Sequence, residues 1–348
     1  MRKLIIILIM AIMLFSCSNQ NKGDKGNVNH NIRDRKKPLA WGQRQMIYAF
    51  ADDFVWKQAE NEIRNTLERT VYTTVNEKMF EVKMVLHNKI DDYFRFNNLL
   101  FYCDWESDNA VSSYVRSILG DQVLEKLKTD GAGIYPVYNL WADDQLVLFI
   151  VGENEEKLLK VSMLQADSIY ETFRQRLNKR IEYLAYQEGT KPKSNFTNKI
   201  WELDLPMRYV LFKEDEAAHF TSYLARSSSK PDRFLAVYYE VAEASDLSSD
   251  WLIHKRQELA AHYYDGDSFT QQDITIMKKK IAGYDGWMIR GRWQNAKQAV
   301  GGAFSAFAFY EPAKRLFFLI DNSVYYPEGN KLPALLELEI ISNSLKIK

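Results

Sequence analysis

Cysteine is nearly absent: the 348 residues include two, Cys17 and Cys103. A Cys17 committed to another bond leaves no intramolecular disulfide, so packing must hold the fold. Net charge is missing too, because 46 Lys and Arg balance 46 Asp and Glu. No global field draws the chain toward nucleic acid or an anionic surface. The longest apolar run, Leu4 to Phe15, has twelve residues, short of the roughly 20 that span a bilayer as a helix. HExxH, the phosphate-cradling P-loop and Gly-x-Ser-x-Gly are all lacking, which removes three sequence-defined enzyme classes.

What is present begins at the N-terminus. Arg2 and Lys3 precede the apolar run, and Ser16-Cys17 follow it, an arrangement and length that suit a secretion signal. Leu14-Phe15-Ser16-Cys17 resembles the bacterial lipobox, in which a small residue precedes a cysteine that takes lipid and becomes the new N-terminus. Residues 1–16 are then a removable signal, Cys17 the lipid attachment site, and the polar residues 17–40 a flexible tether too poor in apolar side chains to fold. Two or more acyl chains make such an anchor stable. Ser18-Asn19-Gln20 carry neither the aspartate that resembles an inner-membrane retention signal nor the acidic cluster that resembles a surface-export signal. The expected location is the bacterial cell envelope, at the outer membrane facing the periplasm. The expected partners are the membrane, through the lipid, and an envelope protein, with no nucleic acid.

The full chain is 46% hydrophobic and 14% aromatic, enough for a sizeable core beyond the tether. Met46 to Phe50 reads as a strand leading into a helix with Trp56, Ile63 and Leu67 at helical spacing. The same step recurs at Leu146 to Val151 and at Phe234 to Tyr239, the last entering a helix through Ser248. Phe80 to Leu86 and Asn98 to Cys103 are further strands. Residues 154 to 186 read as one long helix with Tyr170, Phe173, Leu177, Ile181 and Leu184 on a stripe. Lys191-Pro192-Lys193-Ser194 then marks a join between an N-terminal α/β half, residues 41–190, and a C-terminal α+β half, residues 191–348. The C-terminal part reads as a meander: strands Trp287 to Trp293, Phe304 to Tyr310 and Leu316 to Ile320, with Gly301-Gly302 as a break. Small Ala306 and Ala308 suit close approach of a helix, and the last helix, entered through Pro333, is the expected cover. The fold class expected is α+β: mixed and antiparallel sheets covered by helices, two halves sharing a plan, a C-terminal β-meander and a terminal helix.

Candidates for chemistry are few. His254, Glu258 and His262 share a helix face, but the outer two are about 12 Å apart along the axis, too far for one metal ion, so no metal is expected. Cys103 ends an apolar run and reads as buried rather than nucleophilic. Asp52-Asp53 and Asp143-Asp144 sit at element ends, where capping accounts for an acidic residue. Arg290-Gly291-Arg292-Trp293 is the segment of interest, because arginine and tryptophan beside a glycine can form a planar surface for an anion or a sugar.

Asn139-Leu140-Trp141-Ala142-Asp143-Asp144-Gln145, Arg290-Gly291-Arg292-Trp293-Gln294, Gly301-Gly302-Ala303-Phe304 and Val324-Tyr325-Tyr326-Pro327, in that order, resemble a lipoprotein family of Bacteroidetes-type bacteria, the domain of unknown function 4837. The resemblance runs from about Trp41 to the C-terminus. It departs at Ala303, where the family pattern has proline, and at Asn322-Ser323, where it has a glycine-aromatic pair. It implies a location and an extent, with no activity, catalytic residue or cofactor to carry over. The expected function is non-enzymatic binding, with Arg290, Arg292, Trp293 and Asp321 as binding candidates. The competing expectation is a hydrolase with its site near Arg290, Trp293 and Asp321.

Overall fold

A computed structural model describes residues 37–348. The expected signal, residues 1–16, Cys17 and the expected tether as far as residue 36 lie outside the described residues; the rest of that tether, to residue 40, is tied down, with the Ala40 amide donating to the Asp143 carbonyl and the Asp143 amide to the Pro38 carbonyl, each at 2.8 Å. Contacts gather the chain into two units, one comprising the described residues to Ala40 with Tyr48–Ala59 and Met84–Leu164, the other Trp41–Ile47, Glu60–Lys83 and Gln165–Lys348.

A five-stranded sheet comes first along the chain. Strands β1 (Met46–Phe50), β2 (Glu81–Met84), β3 (Asn98–Asp104), β4 (Ala132–Tyr138) and β5 (Leu146–Gly152) lie in the order β2-β1-β3-β5-β4. β3 runs parallel to both β1 and β5, and β4 antiparallel to β5. Central strands covered on both faces carry unbroken apolar runs rather than alternation, and every residue of β5 is buried. Helix α1 (Asp53–Leu67) follows β1, its start marked by Asp52 Oδ1 accepting from the Phe54 amide at 2.9 Å. Helices α2 (Ala110–Ile118) and α3 (Asp121–Asp130) supply Val111, Val115, Val123 and Leu127 to a core with Phe101, Phe149 and Cys103. Burial pushes the Cys103 thiol up to about 12, so it stays protonated and inert at neutral pH.

The expected long helix is two helices, α4 (Glu155–Leu164) and α5 (Ala166–Tyr186). Gln165 separates them at φ −114° and ψ 22°. It stands where the apolar stripe needs a hydrocarbon and offers an amide instead. α5 belongs to the second unit, where Ile169, Tyr170, Phe173 and Leu177 are buried.

Two antiparallel meanders make the seven-stranded sheet of the second unit. The first is β6 (Val210–Asp215), β7 (Phe220–Ser227) and β8 (Lys230–Val241), and the second is β9 (Ile274–Ile281), β10 (Tyr284–Asn295), β11 (Val300–Glu311) and β12 (Leu316–Tyr325). Pairing of β8 with β12 joins them, giving the order β9-β10-β11-β12-β8-β7-β6. The chain must therefore pass from β8 to the far edge at β9, and helix α6 (Ser249–Tyr263) makes that crossing over one face. Helix α7 (Leu332–Ser342), with Pro333 in its first turn, returns over the other.

That routing corrects two expectations. The alanine face is covered by α6, whose Leu252, Ile253 and Leu259 meet Ala306, Ala308 and Phe304, while α7 packs Leu335, Leu338 and Ile341 with Phe307 and Phe309. Gly301 and Gly302 lie inside β11, paired with Gln294 and Trp293. A side chain at Gly302 would sit 2.0 Å from the Val324 carbonyl and 2.8 Å from the Trp293 ring. The glycine is a notch for the indole, not a chain break.

Candidate functional site

Helix α6 sets the site. Ser248 caps it, its hydroxyl accepting from the Trp251 amide at 3.1 Å, and Leu252, Ile253, Leu259 and Ala260 form its buried stripe. Arg256 falls on the same stripe and is 0% exposed. Its guanidinium carbon lies 3.8 Å from the centroid of the Phe304 ring and 5.1 Å from that of Phe269. Nε approaches Asp321 Oδ2 at 3.3 Å and Oδ1 at 3.5 Å. Asp321 sits on β12 between Ala236 of β8 and Ala306 of β11. These two small neighbours leave room above the sheet for an ion pair where larger side chains would fill the space. Burial raises the Asp321 carboxyl above the ordinary carboxylate range, and Arg256 and the Tyr264 hydroxyl draw it back only in part.

The helix ends by turning back. Asp265 and Gly266 take the left-handed conformation, and the Gly266 amide bonds the Ala260 carbonyl at 3.3 Å, a C-terminal cap that redirects the chain. The turn brings Asp267 to Asn295, whose Nδ2 donates to Oδ1 at 2.9 Å. Burial raises the Asp267 carboxyl, the Asn295 hydrogen bond lowers it, and Asp265 and Asp321 add to the rise.

Between this turn and the sheet lies a cavity of about 370 Å³, within the range of small-molecule sites. Phe212, Phe234, Tyr263, Tyr264, Trp293 and Tyr325 give it aromatic walls, and Asp321, Asp267, Asp232 and Asp265 its carboxylates. Its cations are already engaged: Lys213 Nζ donates to the Tyr263 carbonyl at 2.6 Å, and Arg226 Nε to Asp232 at 2.8 Å. Trp293 Nε1 and both terminal nitrogens of Arg256 are buried and make no hydrogen bond to protein. Such orphans cost free energy and mark places where polar atoms of something else belong. A second cavity, about 420 Å³, includes Lys199, Glu214, Asp215 and His219. Lys199 pairs there with Glu214 and donates to the Thr221 hydroxyl at 2.9 Å, and Asp215 accepts from Tyr263 at 2.9 Å.

The sequence candidates divide between the two faces of the sheet. Trp293 and Asp321 share the cavity. Strand alternation sends Arg290 and Arg292 to the opposite face. There Arg290 pairs with the buried Glu339 of α7, which Lys279 also meets at 2.6 Å, and Arg292 pairs with Asp273 at 2.8 Å. The expected surface of two arginines and a tryptophan is therefore not assembled. His254 turns Nδ1 to the Asp250 carbonyl at 3.0 Å, and Glu258 pairs with Lys255 at 2.9 Å. Among the described residues no group of three or more His, Cys, Asp or Glu is placed to hold a metal ion. Arg256, Tyr264 and Asp267 were not legible as site residues. The available signal was an arginine at a core position of the stripe formed by Leu252, Leu259 and Ala260.

The class these features define is α+β, with a mixed five-stranded sheet and an antiparallel seven-stranded sheet as its two large sheets. Residues 190–344 match the family described as a domain of unknown function (DUF4837), the family that the motif order resembles. Residues 40–184 match a second, also a domain of unknown function (DUF8532), so the resemblance to the first covers the C-terminal half. No curated protein matches the sequence. Among solved structures, a Bacteroides thetaiotaomicron VPI-5482 protein is similar at 14% identity and a TM-score of 0.26, over 42% of this chain and 45% of that one. LpqN of Mycobacterium tuberculosis, described as involved in cell envelope biogenesis, is similar at 11% identity and a TM-score of 0.27, over 42% and 83%. The Ran-binding protein Mog1p of Saccharomyces cerevisiae is similar at 9% identity and a TM-score of 0.32, over 43% and 92%.

Proposed function

We propose that this protein is a bacterial envelope lipoprotein, anchored through Cys17, that binds a small molecule in the cavity under α6 without transforming it. The observation that carries the binding reading is the cavity itself, with aromatic walls and a buried indole N–H that has no partner. Such walls supply apolar contact area, and the few polar groups orient what enters. The anchor reading rests on the apolar run Leu4 to Phe15 and the residues Ser16-Cys17.

N-phenyl-1-naphthylamine, a neutral dye that brightens in apolar surroundings, tests the cavity. Wild-type protein is expected to give a saturable one-to-one rise in fluorescence. Ser323→Phe, which puts a ring into the cavity from β12, is expected to abolish the rise at an unchanged melting temperature. Non-saturable or equal binding by the two proteins sinks the reading.

A further inference from the structure

We infer that the ligand of this cavity is a short neutral saccharide, a class chosen by the polar groups the walls present. This rests on the reading of the cavity as a binding site. Four carboxylates, Asp232, Asp265, Asp267 and Asp321, face or border the space against two cations, Lys213 and Arg226. Both cations are spent on protein oxygens. An anionic ligand would meet this excess with Lys213 and Arg226 engaged and the charge of Arg256 offset by Asp321, so phosphates, sulfates and uronic acids are disfavoured.

A purely cationic ligand fails on a different atom. An ammonium has donors and no acceptor, whereas the Trp293 Nε1–H is a buried donor that needs an acceptor. A hydroxyl both accepts and donates. It can accept a hydrogen bond from the indole N–H and donate one to Asp267 or Asp321. A molecule dense in hydroxyls, with an apolar ring face to lie against Trp293 or Tyr325, satisfies every wall at once, and a pyranose is that molecule.

The spacing sets its length. Trp293 pairs across the sheet with Gly302 and Asp321 with Ala306, so their rows are four residues apart on β11, on the order of 13 Å. One hexose does not reach between them, whereas a disaccharide does. Gly302 contributes by letting the indole lie flat on its strand, with Cε2 and Cζ2 2.8 Å from where a Cβ would be.

Calorimetric titration with cellobiose, maltose and N,N′-diacetylchitobiose tests the inference, alongside cellobiouronic acid and benzylammonium as anionic and cationic comparators. At least one neutral disaccharide is expected to bind one-to-one in the millimolar range or tighter and to displace the dye. Trp293→Phe keeps an aromatic ring and removes the N–H, and Asp267→Asn removes a charge from the half-buried turn after α6. Each is expected to weaken binding about tenfold, as loss of one buried hydrogen bond implies, while still binding the dye. A protein that binds the dye and none of the three neutral disaccharides overturns the saccharide and leaves the cavity reading intact. Preference for benzylammonium or for the uronic acid overturns it equally, and failure to bind even the dye removes the reading on which it rests.

Discussion

Arg256 sits where the helical repeat asks for a hydrocarbon, and its cost is met by Asp321 on one side and two aromatic rings on the other. Removing one partner of a buried pair strands the other, a loss on the order of 3–5 kcal/mol. Arg256→Met is expected to lose that much in urea unfolding, and adding Asp321→Asn to recover most of it. A single variant as stable as wild type would show the pair to be incidental. Glu339, on the other face of the sheet, gives a prediction in pH. Burial alone would raise its carboxyl, but Arg290 and Lys279 override it and hold it lowered from 4.5 to about 2. A depressed carboxylate stabilises the fold above its ordinary value and loses that contribution as pH falls through the folded one. Stability is therefore expected to fall between pH 4.5 and 2, by on the order of 3 kcal/mol. Urea midpoints of Glu339→Gln should start lower at pH 7 and fall less across the same window. At this scale the sequence was partly legible. Trp293 and Asp321 stood out by type, yet which face each occupies depends on register, and Arg256 was hidden among polar neighbours of the same helix.

Elements were easier to read than their neighbours in space. β5, β8, β11 and β12 announce themselves because strands covered on both faces must be apolar throughout, and Ser248 marks the start of α6 by capping. Pairing of β8 with β12 is not local, so the crossing that lays α6 on the alanine face had no signature in either segment. The break at Gln165 was missed for a related reason: a single on-stripe amide is ambiguous until the packing on each side is known. The alanine face yields its own test. Ala306 is 0% exposed between α6 and the sheet and flanks Asp321, so Ala306→Leu forces the helix outward. A loss of about 1–3 kcal/mol is expected from overpacking, together with weakened dye binding. An unchanged melting temperature would mean that α6 rests less closely on β11 than the contacts show.

For the whole molecule the proposed anchor is the reading most open to a direct experiment. No helix among the described residues is long and apolar enough to cross a membrane. Cys17→Ala is expected to lose palmitate labelling and to leave the membrane fraction, with equal labelling of both proteins counting against the lipid. The joining of the two meanders carries a consequence for how such a chain is made. Residues 316–325 supply the strand that β8 and β11 both need, and synthesis reaches it after every other strand of that sheet. Until then each half of the sheet has an open edge, and a long stretch of chain separates the partners to be joined. The order of synthesis thus delays closure of this sheet until residues 316–325 are made. A stop codon before Leu316 would then remove far more than the strand it deletes, because it leaves two meanders with nothing to join them.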